Sequence, residues 1–393
     1  MLSLFILIYL PNRNKLFLYP KAKLEPISII MPCYNEAENI GEAIEALMKL
    51  DYPKNMLEII IIDDKSTDNS VEAIKKYSEK YKNVKLIVNK KNSGGAAEPT
   101  NIGIKAAKYN YIAVADSDSA PEPDSLKKMI GFLQKEKEVA AVTCSIVSKK
   151  PKTFIQKLQA IEYVVIGFGR KLLDLVDAVY VTPGPFSLYK KEVLIKVGLF
   201  DTKNLTQDIE IVWRLLSHGY KARMCLAAKV YTTTPEKFKA WWKQRVRWNI
   251  GGTQTLIKYK KLLFKKGMLG AFIIPFFSFS LFLGVFGLGL FVYLWTRRLL
   301  ISYISTKYSL YASSTILRLE DLTFSPSILN FFGAALFFLG LAFTYFGLSI
   351  MKEKELENNN IFNILFYIIV YLTIYPFIMI TSVYKLSRGK YSW

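Results

Sequence analysis

The clearest candidates for catalytic and ligand-binding residues in this sequence are aspartates that follow apolar runs. Asp116-Ser117-Asp118 follows the apolar run YIAVA and precedes a proline-rich stretch, so both carboxylates are expected on a tight loop. Two hard oxygen ligands suit Mg²⁺ or Mn²⁺ shared with a diphosphate, although Asp-x-Asp loops also form Asx turns and helix caps. Asp63-Asp64 follows the run EIIII, where a carboxylate binds a ribose or caps the next helix.

Asp208 begins a segment whose apolar residues repeat with helical spacing and which ends at Gly219. A carboxylate in the first helical turn is commonly a cap, because the helix dipole favours negative charge there. The same dipole would keep Asp208 ionised and able to accept a proton from an attacking hydroxyl. The chain has one histidine, His218, which excludes His triads and His proton relays and leaves carboxylates as the available bases.

Gln244-Arg245-Val246-Arg247-Trp248 lies in a segment that is expected to form a helix starting at Thr234-Pro235. On a helix, Gln244, Arg247 and Trp248 share one face. An amide, a guanidinium and an indole side by side could bind a diphosphate and stack on a sugar ring. Tryptophans among basic residues also anchor helices at membrane surfaces, and the two roles are compatible.

Short β-branched runs between helical patterns indicate the elements that position these residues. Strand and helix alternating in this way predict an α/β domain with a doubly wound parallel sheet. Ligands of such sheets bind at the carboxyl ends of the strands, so residues 33–36, 63–66 and 116–118 are expected along one rim. The predicted strands are residues 27–31, 58–62, 84–88, 111–115 and 139–144.

Composition restricts the class of protein further. The 393 residues include 53 Lys and Arg against 32 Asp and Glu, and 51% of them are hydrophobic. Such a high apolar content excludes a disordered chain and leaves a basic globular protein, a membrane protein or both. Cys33, Cys144 and Cys225 are far apart and contain no CxxC pair, so neither a disulfide framework nor a thiolate metal site is expected.

Three uncharged stretches after residue 270 are long enough to cross a hydrocarbon core. They are residues 271–295, 328–350 and 361–384, and they predict a transmembrane domain over 267–393. Five lysines between 258 and 266 precede the first of them, which predicts a multi-pass protein of the cell membrane whose catalytic domain, residues 26–234, is cytoplasmic. Residues 235–266 form the predicted interfacial helix.

Three further segments are apolar or amphipathic. Residues 2–10, within the N-terminal segment 1–25, are too short to span and lack the features of a signal peptide, so they are a membrane anchor or the end of a span. Residues 152–177 form an amphipathic helix that packs on the sheet or, as the neighbouring basic residues favour, lies on the bilayer. Residues 297–325 suit an interfacial helix better than a span.

Six motifs, in the same order, resemble those of family 2 glycosyltransferases. The QxxRW element looks most like the membrane-embedded branch that contains cellulose, chitin and hyaluronan synthases, and the similarity runs from about residue 26 to 252. The motifs are MPCYNE (31–36), IIDDKSTD (61–68), DSD (116–118), TPGPFSLYKK (182–191), TQD (206–208) and QRVRW (244–248).

This resemblance implies a nucleotide-sugar-binding fold of the glycosyltransferase A type, dependence on Mg²⁺ or Mn²⁺, and inversion at the anomeric carbon. It implies that Asp118 binds the metal, Asp116 lies at the diphosphate and Asp208 is the general base. The other residues that it assigns are the nucleoside contacts Pro32, Tyr34, Glu36 and Asp64, and the diphosphate and acceptor contacts Gln244, Arg247 and Trp248.

Two departures from the family pattern bear on the substrate. Gln207 stands where the family usually has a glutamate before the base, so one charge beside Asp208 is missing. Gly94-Gly95 are followed by alanines, whereas polymer synthases commonly have a lysine there. The second departure weakens the assignment to polymer synthases more than the assignment to glycosyltransferases.

The predicted function is transfer of a sugar, by a membrane-bound enzyme, from a nucleotide-sugar donor such as a UDP-sugar to a growing polysaccharide or glycan. The alternative is a single transfer to a polyprenyl or dolichyl phosphate or another lipid-linked acceptor. A nucleic-acid binder would also be basic, but the three apolar stretches argue against it. A transporter would carry ionisable residues within its spans, and these stretches contain none. The expected partners are therefore donor, acceptor and lipid bilayer, without nucleic acid.

Overall fold

A mixed eight-stranded sheet lies at the centre of the catalytic part of the chain. The computed structural model describes residues 2–312, 328–351 and 361–389, and within them the strand order is β3-β2-β1-β4-β7-β6-β8-β5. The strands are β1 Ile27–Cys33, β2 Leu57–Asp63, β3 Val84–Val88, β4 Tyr111–Ala115, β5 Ser119–Pro121, β6 Val139–Ser148, β7 Phe186–Lys190 and β8 Lys221–Thr232. All five strands predicted from the sequence are present, and the α/β fold is confirmed.

The prediction of a wholly parallel sheet is wrong. Strands β1 to β4 are parallel and so are β6 and β8, but β7 is antiparallel to both β4 and β6, and β5 is antiparallel to β8. The reason is the path of the chain before β7, because the irregular residues 178–185 run along the cavity and bring the chain to the rim before the strand begins. Phe186 is therefore paired with Ala115 at the end of β4, beside Asp116.

Helices cover both faces of this sheet. Alternate residues of β1 point to opposite sides, so Ile29 packs with one apolar cluster and Ile30 with the other. The helices of the catalytic part are α1 Leu2–Asn12, α2 Ile40–Met48, α3 Ser70–Lys80, α4 Ala97–Ala106, α5 Ser125–Lys135, α6 Phe154–Asp174, α7 Lys191–Val197, α8 Gln207–Ser217 and α9 Phe238–Tyr259. Helices α2, α3 and α5 contribute to the first cluster, and α4, α6 and α8 to the second.

Helix α6 packs on the sheet, which is the first of the two alternatives for this helix; its position relative to a bilayer stays a prediction. One side contacts β6 and β8, and the C-terminal apolar helices cover another side. Four of its five charged residues are buried, namely Glu162, Arg170, Lys171 and Asp174. Lys171 Nζ lies 2.7 Å from Asp174 Oδ2 and 2.9 Å from the carbonyl oxygen of Met224. The apolar spacing identified the helix, but its burial depends on helices nearly 200 residues away.

Helix α9 begins at Phe238 and not at Thr234 as expected. Thr234 ends the β8 region instead: its hydroxyl lies 2.9 Å from Ser148 Oγ, and its carbonyl accepts a hydrogen bond of 3.0 Å from Gln156 Nε2. These contacts hold residue 234 against β6 and α6, and Lys237 is the residue that precedes the first turn of α9.

Three long apolar helices follow a π-helical turn, Leu269–Ile273. They are α10 Ile274–Tyr311, α11 Ile328–Met351 and α12 Ile361–Ser387. Among the described residues, two segments are long and apolar enough to cross a membrane, Leu269–Tyr311 and Ile361–Ser387, and a shorter apolar segment, Phe337–Met351, lies in α11. The number of spans and the side of the membrane on which the sheet lies stay predictions.

The structure also describes residues 297–311 and residues 2–10, the two other apolar segments of the sequence. Residues 297–311 continue α10 and do not form a separate interfacial helix, because no helix-breaking residue interrupts the run from 297 to 311; residues 313–325 lie outside the described residues. Residues 2–10 form most of α1, which packs against α6 and α11. Phe5 stacks on Phe343 at 5.3 Å between ring centroids.

Candidate active site

A cavity of about 710 Å³ opens at the rim where β1, β2 and β4 end and β7 begins. Its walls come from the loops after these strands, the glycine loop 92–96, and helices α6, α8 and α9. The structure brings together in this cavity all ten residues to which the sequence assigned a role, namely Pro32, Tyr34, Glu36, Asp64, Asp116, Asp118, Asp208, Gln244, Arg247 and Trp248.

The two carboxylates of the DSD loop differ in their surroundings. Asp118 accepts hydrogen bonds from hydroxyl groups, at 2.5 Å from Thr233 Oγ1 and 3.3 Å from Thr232 Oγ1. Burial raises the pKa of Asp116 to about 8, and the charges of Asp118 and Asp208 add to this rise. An excess of enclosed negative charge is what a divalent cation offsets.

Gly184 lies directly against Asp116. A Cβ atom at this position would come within 2.8 Å of both carboxylate oxygens of Asp116. Because Gly184 has no side chain, the Asp116 carboxylate can lie close to the backbone that leads into β7.

Replacing Gly184 with alanine is expected to displace the Asp116 carboxylate and to lower kcat/KM for sugar transfer by about 10- to 100-fold, because small misplacements at a reacting centre are costly. The measurement is initial-rate kinetics on the purified full chain. Gly252→Ala is the matched control, since the nearest atom to a Cβ there is Ile209 Cδ1 at 4.0 Å. A kcat/KM for Gly184→Ala as high as that of Gly252→Ala would contradict the assignment of Asp116 to the reaction.

The loop after β1 is fastened to the loop after β2. Asn35, at a φ of 54°, accepts a hydrogen bond of 2.8 Å from the backbone N–H of Thr67 on its Oδ1 atom, and its own N–H donates to Ser66 Oγ at 3.0 Å. This places Tyr34, 48% exposed, at the mouth of the cavity, where its ring is free to stack on a planar base. Burial also raises the pKa of Glu36.

Asp64 organises the glycine loop. Its carboxylate accepts hydrogen bonds from Asn89 Nδ2 at 2.6 Å and from the backbone N–H and hydroxyl of Ser93 at 2.9 and 2.7 Å. It does not cap α3, where Asp68 accepts from the N–H of Ser70. Asp64 thus lines the cavity and also holds the backbone around Gly94.

Asp208 lies in the first turn of α8, with its carboxylate in the cavity. Burial raises its pKa, whereas Arg247, the backbone N–H of Ile209 and Arg170 oppose the rise. The Oδ1 atom accepts a hydrogen bond of 3.1 Å from Ile209 N. A carboxylate with a raised pKa that remains accessible from a cavity has the properties of a general base.

Helix α9 presents Gln244, Arg247 and Trp248 to the cavity on one face, as the spacing predicts. Burial lowers the pKa of Arg247, and the charges of Asp208 and Asp116 oppose this effect. Gln244 Oε1 accepts hydrogen bonds from Gln159 Nε2 at 3.1 Å and from Arg245 Nη1 at 2.8 Å. The amide is therefore held in place by α6 and by its neighbour on α9.

Arg245 is fully buried and supports this face from behind. Its guanidinium pairs with Glu162 of α6 and lies over the ring of Trp248, with Cζ 4.2 Å from the centroid. The other carboxylate oxygen of Glu162 accepts a hydrogen bond of 3.1 Å from the hydroxyl of Tyr375. One buried ion pair thus joins α6, α9 and the apolar helix α12.

Helix α9 also contacts the segment that carries Asp208. Gly251 packs directly on Thr206, where a side chain would collide with the threonine backbone and hydroxyl. The buried Glu210 accepts hydrogen bonds from Lys258 Nζ at 2.6 Å and Tyr259 Oη at 2.8 Å, and forms an ion pair with Arg214. These contacts fix Asp208 relative to Arg247.

Sequence reasoning missed the wall that α6 contributes. Tyr163, Ile166, Gly167 and Arg170 line the cavity, together with Thr232 and Thr233 at the end of β8. Arg170 is one of five charged residues of this amphipathic helix, and nothing in the sequence distinguished it from the other four.

The described residues contain no group of three or more His, Cys, Asp or Glu side chains arranged to hold a metal ion. Asp116 and Asp118 nevertheless fit a divalent cation that takes its remaining ligands from a diphosphate and water, which is how Mg²⁺ is commonly bound. The enclosed, charge-rich position of Asp116 supports this fit.

The mixed α/β sheet and the carboxylate-lined cavity at its strand ends agree with the glycosyltransferase fold of the A type that the sequence resemblance implies. Residues 28–198 match the family described as Glycosyl transferase family 2. The poly-beta-1,6-N-acetyl-D-glucosamine synthase of Staphylococcus epidermidis is 30% identical over 358 residues, which cover 90% of this chain and 81% of that protein. The chain therefore belongs to family 2 of the glycosyltransferases and is a glycosyltransferase.

Two further similarities differ in extent. The poly-beta-1,6-N-acetyl-D-glucosamine synthase of Staphylococcus aureus (strain COL) is 35% identical over 237 residues, which cover 60% of this chain and 57% of that protein. The mannosyltransferase PcManGT from Pyrobaculum calidifontis, solved with GDP-Man and Mn²⁺, superposes with a TM-score of 0.59 at 17% identity and covers 99% of this chain and 96% of its own. The second similarity shows a shared fold.

Proposed function

We propose that this protein is a membrane-bound, inverting polysaccharide synthase that uses a divalent cation and a UDP-sugar, with UDP-N-acetylglucosamine as the first candidate. The observation that carries the proposal is the alignment with a poly-beta-1,6-N-acetyl-D-glucosamine synthase, which extends over 90% of the chain and so reaches beyond the catalytic part into the apolar helices. The gathering of ten motif residues in one cavity supports it.

The proposed reaction is a single displacement. An acceptor hydroxyl attacks the anomeric carbon as Asp208 takes its proton, and the nucleoside diphosphate leaves from the opposite face. Arg247 stabilises the negative charge that develops on the leaving diphosphate. A cation held by Asp118 and Asp116 supplies further charge stabilisation when bound. An α-linked donor then gives a β-linked product.

The residues around the nucleotide have separate proposed roles. Tyr34 stacks on the base at the cavity mouth, with Pro32 and Glu36 beside it, while Asp64 contacts the ribose. Gln244 and Trp248 border the diphosphate and acceptor end of the cavity. The packing of α6 between the sheet and the apolar helices supports a catalytic part that lies against a membrane, and the five lysines between 258 and 266 favour the cytoplasmic face.

A screen of labelled nucleotide sugars tests the proposal. Membranes that contain the full chain are incubated with UDP-N-acetylglucosamine, UDP-glucose or GDP-mannose, with Mn²⁺, with Mg²⁺ or with EDTA, and the products are separated by size. We expect a ladder of polymer from UDP-N-acetylglucosamine that EDTA abolishes. Membranes with Asp208→Asn provide the background.

Two outcomes would count against the proposal. Metal-dependent incorporation from none of the donors would refute the reaction itself. A single lipid-soluble product would refute polymer synthesis and support transfer to a polyprenyl phosphate.

A further inference from the structure

The inner wall of the cavity, formed by Tyr163, Ile166, Gly167 and Arg170 of α6, has no role in the proposed binding of the nucleotide. Tyr180, which also lines the cavity, packs edge-on against Phe277 of α10 at 5.0 Å between ring centroids. Gly167 faces Met351 at the end of α11, with 3.9 Å between the position of a Cβ atom and the Met351 methyl carbon. The inner wall thus borders the apolar helices.

Arg170 is the charged group of this wall, and 6% of it is exposed. Within the part of the chain that the structure describes, its Nε atom is buried without a hydrogen-bond partner and its guanidinium forms no ion pair. The neighbouring Lys171 is paired with Asp174, and the buried Arg245 with Glu162. A buried cation that lacks such partners is strongly disfavoured unless a ligand completes its hydrogen bonds.

Gln207 provides the complementary atom. Its side-chain oxygen Oε1 is likewise buried without a partner among the described residues, and the side chain lines the same cavity. Gln207 adjoins Asp208 in sequence, and Arg170 is close enough to influence the Asp208 carboxylate electrostatically. An unused donor and an unused acceptor therefore lie near the proposed base.

The side chains of Arg170 and Gln207 favour a neutral glycan acceptor over a phosphate acceptor. A phosphate dianion offers no proton to Gln207 Oε1 and is repelled by Asp208. A neutral sugar offers hydroxyl protons to Gln207, and hydroxyl or amide carbonyl oxygens to Arg170. Residues 116, 118 and 247 already account for the diphosphate of the donor.

We propose that Arg170 and Gln207 form the binding subsite for the terminal sugar of a neutral glycan acceptor. Arg170 donates hydrogen bonds to an oxygen of that sugar, Gln207 accepts one from a hydroxyl, and the hydroxyl that reacts is thereby directed to Asp208. This inference rests on the proposed transfer to a glycan. Neither residue is assigned to the donor.

The test separates acceptor binding from donor binding. The purified full chain is assayed with UDP-N-acetylglucosamine and short β-linked N-acetylglucosamine oligosaccharides, and the Kd for UDP is measured by calorimetry. We expect Arg170→Met to raise the KM for oligosaccharide about tenfold or more, with the donor KM and the UDP Kd within twofold of wild type. Gln207→Leu is expected to act in the same direction, and Arg170→Lys to recover part of the loss.

Lys196→Met, which removes an exposed positive charge on α7, is the control for loss of charge. An unchanged oligosaccharide KM in Arg170→Met would overturn the proposed subsite, whether or not the donor KM rises. If Arg170→Met binds no UDP, Arg170→Gln and Arg170→Lys provide the same comparison. Absence of transfer by the wild-type protein from every donor would instead refute the proposed function.

Discussion

Asp208→Asn is expected to lower kcat for sugar transfer by about 10²- to 10⁴-fold, the range that a positioned general base contributes. Asparagine keeps the shape and the hydrogen bond from Ile209 N but cannot accept the hydroxyl proton. Because burial raises the pKa of Asp208, wild-type activity should also fall as the pH drops, starting above the usual range of an aspartate.

Initial rates of product formation and the Kd for UDP test this expectation. The UDP Kd should change little, since Asp208 is not assigned to the nucleotide. Asp51→Asn is the matched control, because Asp51 is exposed and pairs only with the surface residue Lys127 in the described structure. A rate for Asp208→Asn within threefold of wild type would exclude Asp208 as the base.

Asp118→Asn is expected to lower kcat/KM by about 10²- to 10³-fold, which is typical for loss of a group that stabilises transition-state charge. The hydroxyls of Thr232 and Thr233 can still hold the new side chain, so the loss is of charge rather than of shape. Removing one of two enclosed carboxylates should also raise the Mn²⁺ concentration that gives half-maximal activity.

Titration of activity with Mn²⁺ and with Mg²⁺ measures this second effect, again with Asp51→Asn as the control. The same half-maximal metal concentration in Asp118→Asn and wild type would contradict the assignment of Asp118 as metal ligand. An activity that survives EDTA in the wild type would contradict the dependence on metal.

The parts of the fold that were predictable are those in which neighbouring residues determine the structure. Five strands were predictable because β-branched runs such as EIIII are buried on both faces, and their carboxyl ends placed Glu36, Asp64 and Asp116 on one rim. Strand β7 was missed because its direction depends on the path of residues 178–185, which carries no periodic signal.

The residues of the candidate site also include some that the sequence predicted and some that it did not. Asp208, Arg247 and Trp248 were identifiable from motifs and helical spacing. Arg170 was not, because its role depends on which side chains lie opposite it after α6 has packed between the sheet and α11 and α12. The start of α9 was misplaced because Thr234 is held by Ser148 and Gln156, which are distant in sequence.

The ion pair of Glu162 with Arg245 has a practical consequence for any truncated form of the enzyme. A fragment that ends before residue 269 would keep every residue of the cavity, yet it would lose the Tyr375 hydroxyl that completes the Glu162 carboxylate. It would also expose Phe168, which packs against Phe343 and Phe346 of α11. Water would then reach the ion pair that lies behind Arg247 and Trp248, so we expect the cavity to keep its shape only in a chain that retains α11 and α12.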